Sequence, residues 1–385
     1  MISVEELLQQ LVERGGSDLH ITAGAPPKIR IDGKLISTEH AVLDPETTQK
    51  LIYSILDNTQ IARFEKDLEL DMSFGIGGLG RFRTNVFMQR GAVGSVLRVI
   101  PYEIKGFRDL GLPEELCAQI CATPKGLVLV TGATGSGKST TLAAMIDYVN
   151  RTRNEHIVTI EDPIEFVHKN KCCLVNQREV GSDTHGFKES LRAVLRQDPD
   201  VILVGEMRDM ETIEAALTLS ETGHLTFGTL HTSDCVQTIN RIVDVFPAYQ
   251  QQQIRTVLSF TLSAVFCQQL LAKADGRGRV MAAEIMIANS AVRALVRENK
   301  AHQIYSIIQT GGKLGMVTMN QSLYTLVQKR LVTYDEAFER TSDPDDFIRT
   351  FQSAGKEVPG RPNLGPGAAP QGGGAKSGGP RPGAK

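Results

Sequence analysis

The chain has 385 residues, 41% hydrophobic and 22% charged, with a formal net charge of −2. That length accommodates two full hydrophobic cores, and the composition is ordinary for a soluble globular protein. Fibrous and membrane-embedded classes are excluded, and the charge balance gives no overall attraction to nucleic acid or anionic lipid.

The N-terminus, MISVEELLQQLVERGG, is acidic in its first turn and lacks a charged segment followed by a long apolar run, so it does not read as a signal peptide. Val4, Leu7, Leu8, Leu11 and Val12 recur at the spacing of one helical face, which predicts a short opening helix. From Asp18 to about Pro101 the pattern turns strand-like. PKIRIDGKLI carries a D-G turn, and DLELDMSF, GRFRTNVFMQ and GSVLRVIP follow between glycine-rich turns. Residues 1–101 therefore read as an α+β domain on an antiparallel sheet, and 102–124 as a linker.

Apolar strands then alternate with helix-length stretches: GLVLVT, a helix through Tyr148, HIVTIE, a helix through Leu195, VILVG, a helix through Ser220, and HLTFGTL. That alternation predicts a parallel sheet covered by helices, an α/β domain over 125–353. Its last part, from about Asn240 to Arg349, reads as mostly helical, with RVMAAEI as a short strand inside it. The tail, 354–385, is half Gly and Pro with almost nothing apolar, and is expected to be disordered. No window approaches the roughly 18 consecutive apolar residues of a membrane span. The six cysteines (Cys117, Cys121, Cys172, Cys173, Cys235 and Cys267) fall mostly on apolar segments and are expected as buried, reduced thiols. Neither close pair has C-x-x-C spacing, so no zinc cluster is expected.

The chemistry begins at GLVLVTGATGSGKST. A β-branched strand runs into Gly132, Ala133, Thr134, Gly135, Ser136, Gly137, Lys138, Ser139 and Thr140, and a helix opens at once. Glycines let backbone N–H groups wrap a phosphate at the helix N-terminus. Lys138 supplies a charge to the β- and γ-phosphates, and the Ser139 hydroxyl is a ligand for Mg²⁺. These residues point to ATP with Mg²⁺.

Two further strands end in carboxylates. VILVGEMRD puts Glu206 at the carboxyl end of a strand, where open α/β sheets bind ligands, so Glu206 can hold Mg²⁺ through a water or orient the attacking water. HIVTIEDPIEF ends with Glu161, Asp162 and Glu165, a concentration of negative charge that calls for a cation or polar partners. HLTFGTLHTSD is flanked by two imidazoles. His231, at the carboxyl end, is either a γ-phosphate sensor or structural; His224, ahead of the strand, arranges a neighbouring turn or a subunit contact.

GATGSGKST, TIEDPIEF, ILVGEMRD and GHLTFGTLHTSD, in this order and spacing, resemble the secretion ATPases of type II secretion and type IV pilus systems. The resemblance covers about residues 1–345. SDLHI, Ser17 to Ile21, is similar to the opening of that family's PAS-like N-terminal domain, and the P-loop part is similar to its RecA-like domain. Within the family the chain is most similar to pilus retraction motors. QQLLAKADGRGRVMAAEIM leaves no room for the four-cysteine zinc insertion of extension ATPases, and AVRALVRE, Ala291 to Glu298, is similar to a motif associated with retraction.

The resemblance implies Glu165 as the general base and Glu206 as the Walker B glutamate, while leaving open which of them takes the proton. It implies Arg83 and Arg98 as arginines reaching toward ATP; from the residues alone, each could simply face solvent. It further implies a homohexamer acting on an inner-membrane platform protein of the pilus machine, from the cytoplasmic face and without inserting, with a paralogous retraction ATPase as a possible partner. The alternative is an accessory retraction ATPase or a nucleotide-dependent regulatory module of low turnover. A DNA-translocating ATPase is disfavoured, because the charge is balanced and no basic motif carries aromatics.

Overall fold

The computed structural model describes residues 2–31, 33–100 and 103–353. The predicted disorder of 354–385 and the domain boundary at residues 101 and 102 lie outside them.

Helix α1 (Val4–Glu13) starts where Ser3 caps it: Ser3 Oγ accepts the Glu6 N–H at 3.1 Å and the Glu6 carboxylate accepts the Ser3 N–H at 3.0 Å. It buries Val4, Leu7, Leu8 and Leu11 as the periodicity predicts, and each such leucine contributes about 2 kcal/mol relative to exposure. Strands β1 (Asp18–Thr22), β2 (Lys28–Ile31) and β3 (Lys34–Ser37) precede two helices that the sequence pattern does not announce, α2 (Pro45–Tyr53) and α3 (Asn58–Asp67). Strands β4 (Glu69–Ile76), β5 (Gly80–Gln89) and β6 (Ala92–Ile100) complete an antiparallel sheet of order β3-β2-β1-β6-β5-β4. Its core, including Leu19, Phe64, Phe82 and Leu97, draws only on residues up to Val99.

Helix α4 (Glu114–Cys121) leads into the second sheet. Its parallel strands are β7 (Gly126–Thr131), β8 (His156–Glu161), β9 (Leu174–Glu179), β10 (Val201–Val204) and β11 (Leu225–Leu230). Helices α5 (Lys138–Thr152), α6 (Phe187–Val194), α7 (Met210–Glu221), α8 (Cys235–Asp244) and α9 (Ala248–Thr261) alternate with them or follow them. The sheet order is β13-β12-β7-β11-β10-β8-β9, with apolar clusters on both faces.

One expectation fails here. Residues 262–272 form no helix: they are β12 (Leu262–Ala272), a strand parallel to β7, followed through a tight turn by antiparallel β13 (Arg279–Ile287). LSAVFCQQLLA is buried on both sides of the sheet, so it lacks the alternation that distinguishes a strand from a buried helix. Beyond β13 the helical expectation holds, with α10 (Ser290–Arg297), α11 (Ile304–Thr310), α12 (Met319–Gln328), α13 (Tyr334–Arg340) and α14 (Pro344–Ser353). Tyr324, Tyr334, Phe338, Phe347 and Phe351 clasp these last helices onto Leu271 and Ala282 of the β12–β13 pair. Five cysteines are buried, but Cys172 is exposed because it lies in the loop before β9. Among the described residues no helix is long and apolar enough to cross a membrane.

Candidate nucleotide site

Strand β7 is buried along its whole length and delivers the chain to Gly132 with φ 142°. A Cβ there would lie 2.4 Å from the Gln268 carbonyl oxygen of β12 and 2.5 Å from Ser136 Oγ, so only glycine lets the loop fold back this tightly. Gly137, at φ 93°, caps α5 without a side-chain hydrogen bond, leaving the first-turn N–H groups facing the cleft. Ser136 Oγ is buried and has no hydrogen-bond partner among the described residues. Lys138 Nζ donates to the carbonyls of Gly132 at 2.8 Å and Ala133 at 3.0 Å. Burial lowers its pKa, an effect that Glu206 and Glu165 partly oppose. A glycine cradle, an unpaired hydroxyl and an ammonium at one helix N-terminus fit a phosphate chain.

The cleft above this loop has a volume of about 550 Å³. Thr134, Gly135, Gly137, Lys138, Ser139 and Thr140 line one side, while Gly132 and Ser136 are buried behind them. Facing them are Glu161 and Glu165 from the end of β8, Glu206 from the end of β10 and His231 from the end of β11. Parallel pairing of β8, β10 and β11 brings all four residues to the same edge of the sheet.

The carboxylates differ sharply. Glu206 follows Gly205, whose N–H donates to the Ile160 carbonyl at 2.8 Å and whose own carbonyl accepts Thr229 Oγ1. Burial alone would raise the Glu206 pKa, but hydrogen bonding and charge from Arg208, with His231 and Lys138, more than offset it and hold the group below its ordinary value. His231 Nε2 lies 3.1 Å from Glu206 Oε1. Glu161 accepts Thr159 Oγ1 at 2.6 Å and Gln177 Nε2 at 3.1 Å, yet burial still pushes its pKa up to about 7. Glu165 is exposed at the cleft, free to face a water. The expected cluster of charge at this strand tip is relieved on the Glu161 side by hydrogen bonds from Thr159 and Gln177 and by burial, which favours the protonated form.

The remaining candidates divide. Arg83 lines the cleft from β5. Arg98, its cross-strand neighbour on β6, does not line it: Arg98 Nε donates to Asp18 Oδ1 at 2.7 Å. His224 sits at the opposite end of β11, about 20 Å of strand away from the phosphate loop, with Nδ1 against the Leu219 carbonyl at 3.0 Å and Thr222 Oγ1 at 3.2 Å. It organises the α7–β11 turn. Sequence reasoning passed over Arg208, although it lies two residues beyond Glu206 in the same stretch. Gln177 and Arg279, the latter also lining the cleft, carry no local signal, since only the fold brings them there.

A model of the family described as type II/IV secretion system protein matches residues 1–339. The chain is 52% identical over 346 residues to the type IV pilus retraction ATPase PilT of Pseudomonas aeruginosa, covering 90% of this chain and 100% of that one. It is 40% identical over 353 residues to the type IV pilus ATPase PilU of the same organism, covering 92% of each. A crystal structure of the pilus retraction motor PilT with bound ADP matches with a TM-score of 0.86 at 52% identity, covering 91% of this chain and 100% of that one. The match spans the phosphate loop and every carboxylate facing it, and with it the chain belongs to the type II/IV secretion system protein family.

Proposed function

We propose that this chain hydrolyses ATP to drive type IV pilus retraction, and so twitching motility. The chain is an ATPase by its family and its relatives. The observation that carries the mechanism is the convergence of Lys138, Glu165, Glu206 and Arg83 on one cleft. Lys138 and the N–H groups of the loop bind the phosphates. Ser139 and Glu206 are the residues that would hold Mg²⁺, which supplies positive charge to the β- and γ-phosphate oxygens when bound. Glu165 faces the cleft as the general base, with Glu206 as the alternative, and His231 holds Glu206 in place. Arg83 neutralises charge developing on the γ-phosphoryl group.

In this reading residues 1–101 are a PAS-like domain, 102–124 a linker, 125–353 a RecA-like domain and 354–385 a tail. Six copies form a ring, and Arg98 reaches across a subunit boundary toward a neighbour's nucleotide. The ring works at the cytoplasmic face of the inner membrane on a platform protein of the pilus machine, without inserting and without nucleic acid. Hydrolysis removes the γ-phosphate that both domains grip, which releases the closed arrangement. The 40% identity to PilU keeps an accessory retraction ATPase as the second reading, with partnership between the two paralogues as its corollary.

Lys138→Ala should lose nucleotide binding, whereas Glu206→Gln should keep binding and lose turnover by about 100-fold or more. Binding of a fluorescent ATP analogue and steady-state Mg-ATPase measure the two effects. Equal loss of affinity in both variants would overturn this division of labour. Deleting the gene should leave cells piliated but unable to retract; cells without pili would indicate extension, and negligible turnover with the platform protein present would favour the regulatory reading.

A further inference from the structure

Glu179 ends β9 and is only 3% exposed, outside the set of residues that line the cleft. Its Oε2 accepts the Ile164 N–H at 3.1 Å and Arg81 Nη2 at 3.2 Å. Its Oε1 accepts Ser73 Oγ at 2.6 Å, and Ser73 Oγ in turn accepts Arg81 Nη2 at 2.6 Å. Ile164 immediately precedes Glu165. Ser73 is the cross-strand partner of Arg83, and Arg81 lies two residues before Arg83, on the same face of β5. One buried carboxylate therefore joins the loop that carries Glu165 to the strand pair that presents Arg83. Such a group is held firmly only while its partners stay in place, since removing one leaves an uncompensated buried charge.

We propose that Glu179 is a positioning residue for hydrolysis. It fixes the separation of Glu165 and Arg83 across the cleft and so couples the orientation of the N-terminal sheet to the catalytic carboxylate. The inference rests on the ATP-hydrolysing reading of the cleft and adds a part that touches no nucleotide. A shift of the N-terminal sheet that withdraws Arg81 and Ser73 also loosens the Ile164 anchor, so the acidic loop responds to the sheet's position.

The test compares wild-type full-length protein with Ser73→Ala, Arg81→Ala, Glu179→Gln, Arg83→Ala and the Arg81→Ala/Arg83→Ala pair. Steady-state Mg-ATPase and binding of a fluorescent ATP analogue are measured for each. In Arg81→Ala and Glu179→Gln, kcat should fall about tenfold while analogue affinity stays within about twofold of wild type. Ser73→Ala keeps the ion pair and should show a smaller fall, which guards against misreading a folding defect. The double variant should lose less than the product of the two single losses, because Arg81 acts in part through Arg83. Wild-type kcat in Arg81→Ala and Glu179→Gln, or fully additive losses in the double variant, would overturn the proposal. A wild-type protein without turnover overturns the ATPase reading and this proposal with it; active wild type beside unaffected variants overturns the proposal alone.

Discussion

Glu161 and Glu206 end adjacent parallel strands of one sheet, yet their surroundings drive them in opposite directions. Arg208, His231 and Lys138 keep Glu206 ionised, while burial pushes Glu161 up to about 7 from an ordinary 4.5. Divergence of this kind separates groups that can bind a cation from groups that can hold a proton. It also has a stability consequence with a definite sign. Between about pH 4.5 and 7 the folded chain holds a proton on Glu161 that the unfolded chain has released, so this group's contribution to stability falls as pH rises through that window. Glu161→Gln should flatten that slope, as read from urea midpoints at about pH 5 and about pH 7; an unchanged slope would show that Glu161 titrates normally. The strand tip made Glu206 readable in the sequence. Its charge state was not readable, because Arg208 pairs with it through loop geometry, and Gln177 reaches Glu161 only through β8–β9 pairing.

The clearest failure of sequence reading is β12. An apolar stretch buried on both sides carries no period, so length and neighbours decide its state, and its neighbours here are the strands β7 and β13. The alternating strands of the N-terminal sheet and the capped helix α1 were legible because one face of each meets water. β12 also shapes the phosphate loop: the Gln268 carbonyl packs against Gly132, and Gln268 Nε2 donates to Thr141 Oγ1 of α5 at 2.8 Å. Gly132→Ala must therefore both strain a left-handed backbone and displace a strand. The expected cost is about 2 kcal/mol or more, with loss of nucleotide binding. Thermal unfolding and analogue binding check it, and a variant that binds normally would show that the loop has slack. Glu284 of β13 ties further elements together by accepting the Cys235 N–H at the start of α8 at 2.8 Å and the Met319 N–H at the start of α12 at 3.4 Å. Its contacts with residues 49 and 35 positions away leave no mark in local sequence.

The proposed ring gives Arg98 and Lys138 separate tasks that can be tested in different subunits. If Arg98 serves a neighbouring subunit's nucleotide, Arg98→Ala and Lys138→Ala rings should each be inactive, while rings mixed from both variants should regain part of the wild-type turnover. Half of the mixed boundaries then pair an intact Arg98 with an intact Lys138, and the other half pair both altered residues. Mixtures no more active than either parent would place Arg98 outside the site or in its own subunit's cleft. The boxes facing the phosphates were readable because chemistry restricts residue type and order there. Their meeting with Arg83 was not, because it depends on how the N-terminal sheet sits against the central one.

Among the described residues the two sheets draw on separate apolar clusters, and the contact between them through Glu179, Arg81 and Ser73 is polar. Cooperativity in heat unfolding follows shared apolar packing, so a calorimeter should record two endotherms for this chain. Arg81→Ala should draw them further apart. Nucleotide bound in the cleft that Arg83 and the phosphate loop both line should pull them together. For this molecule a single melting temperature would be an average over two bodies, and the gap between the two peaks would measure how firmly the halves are held as one.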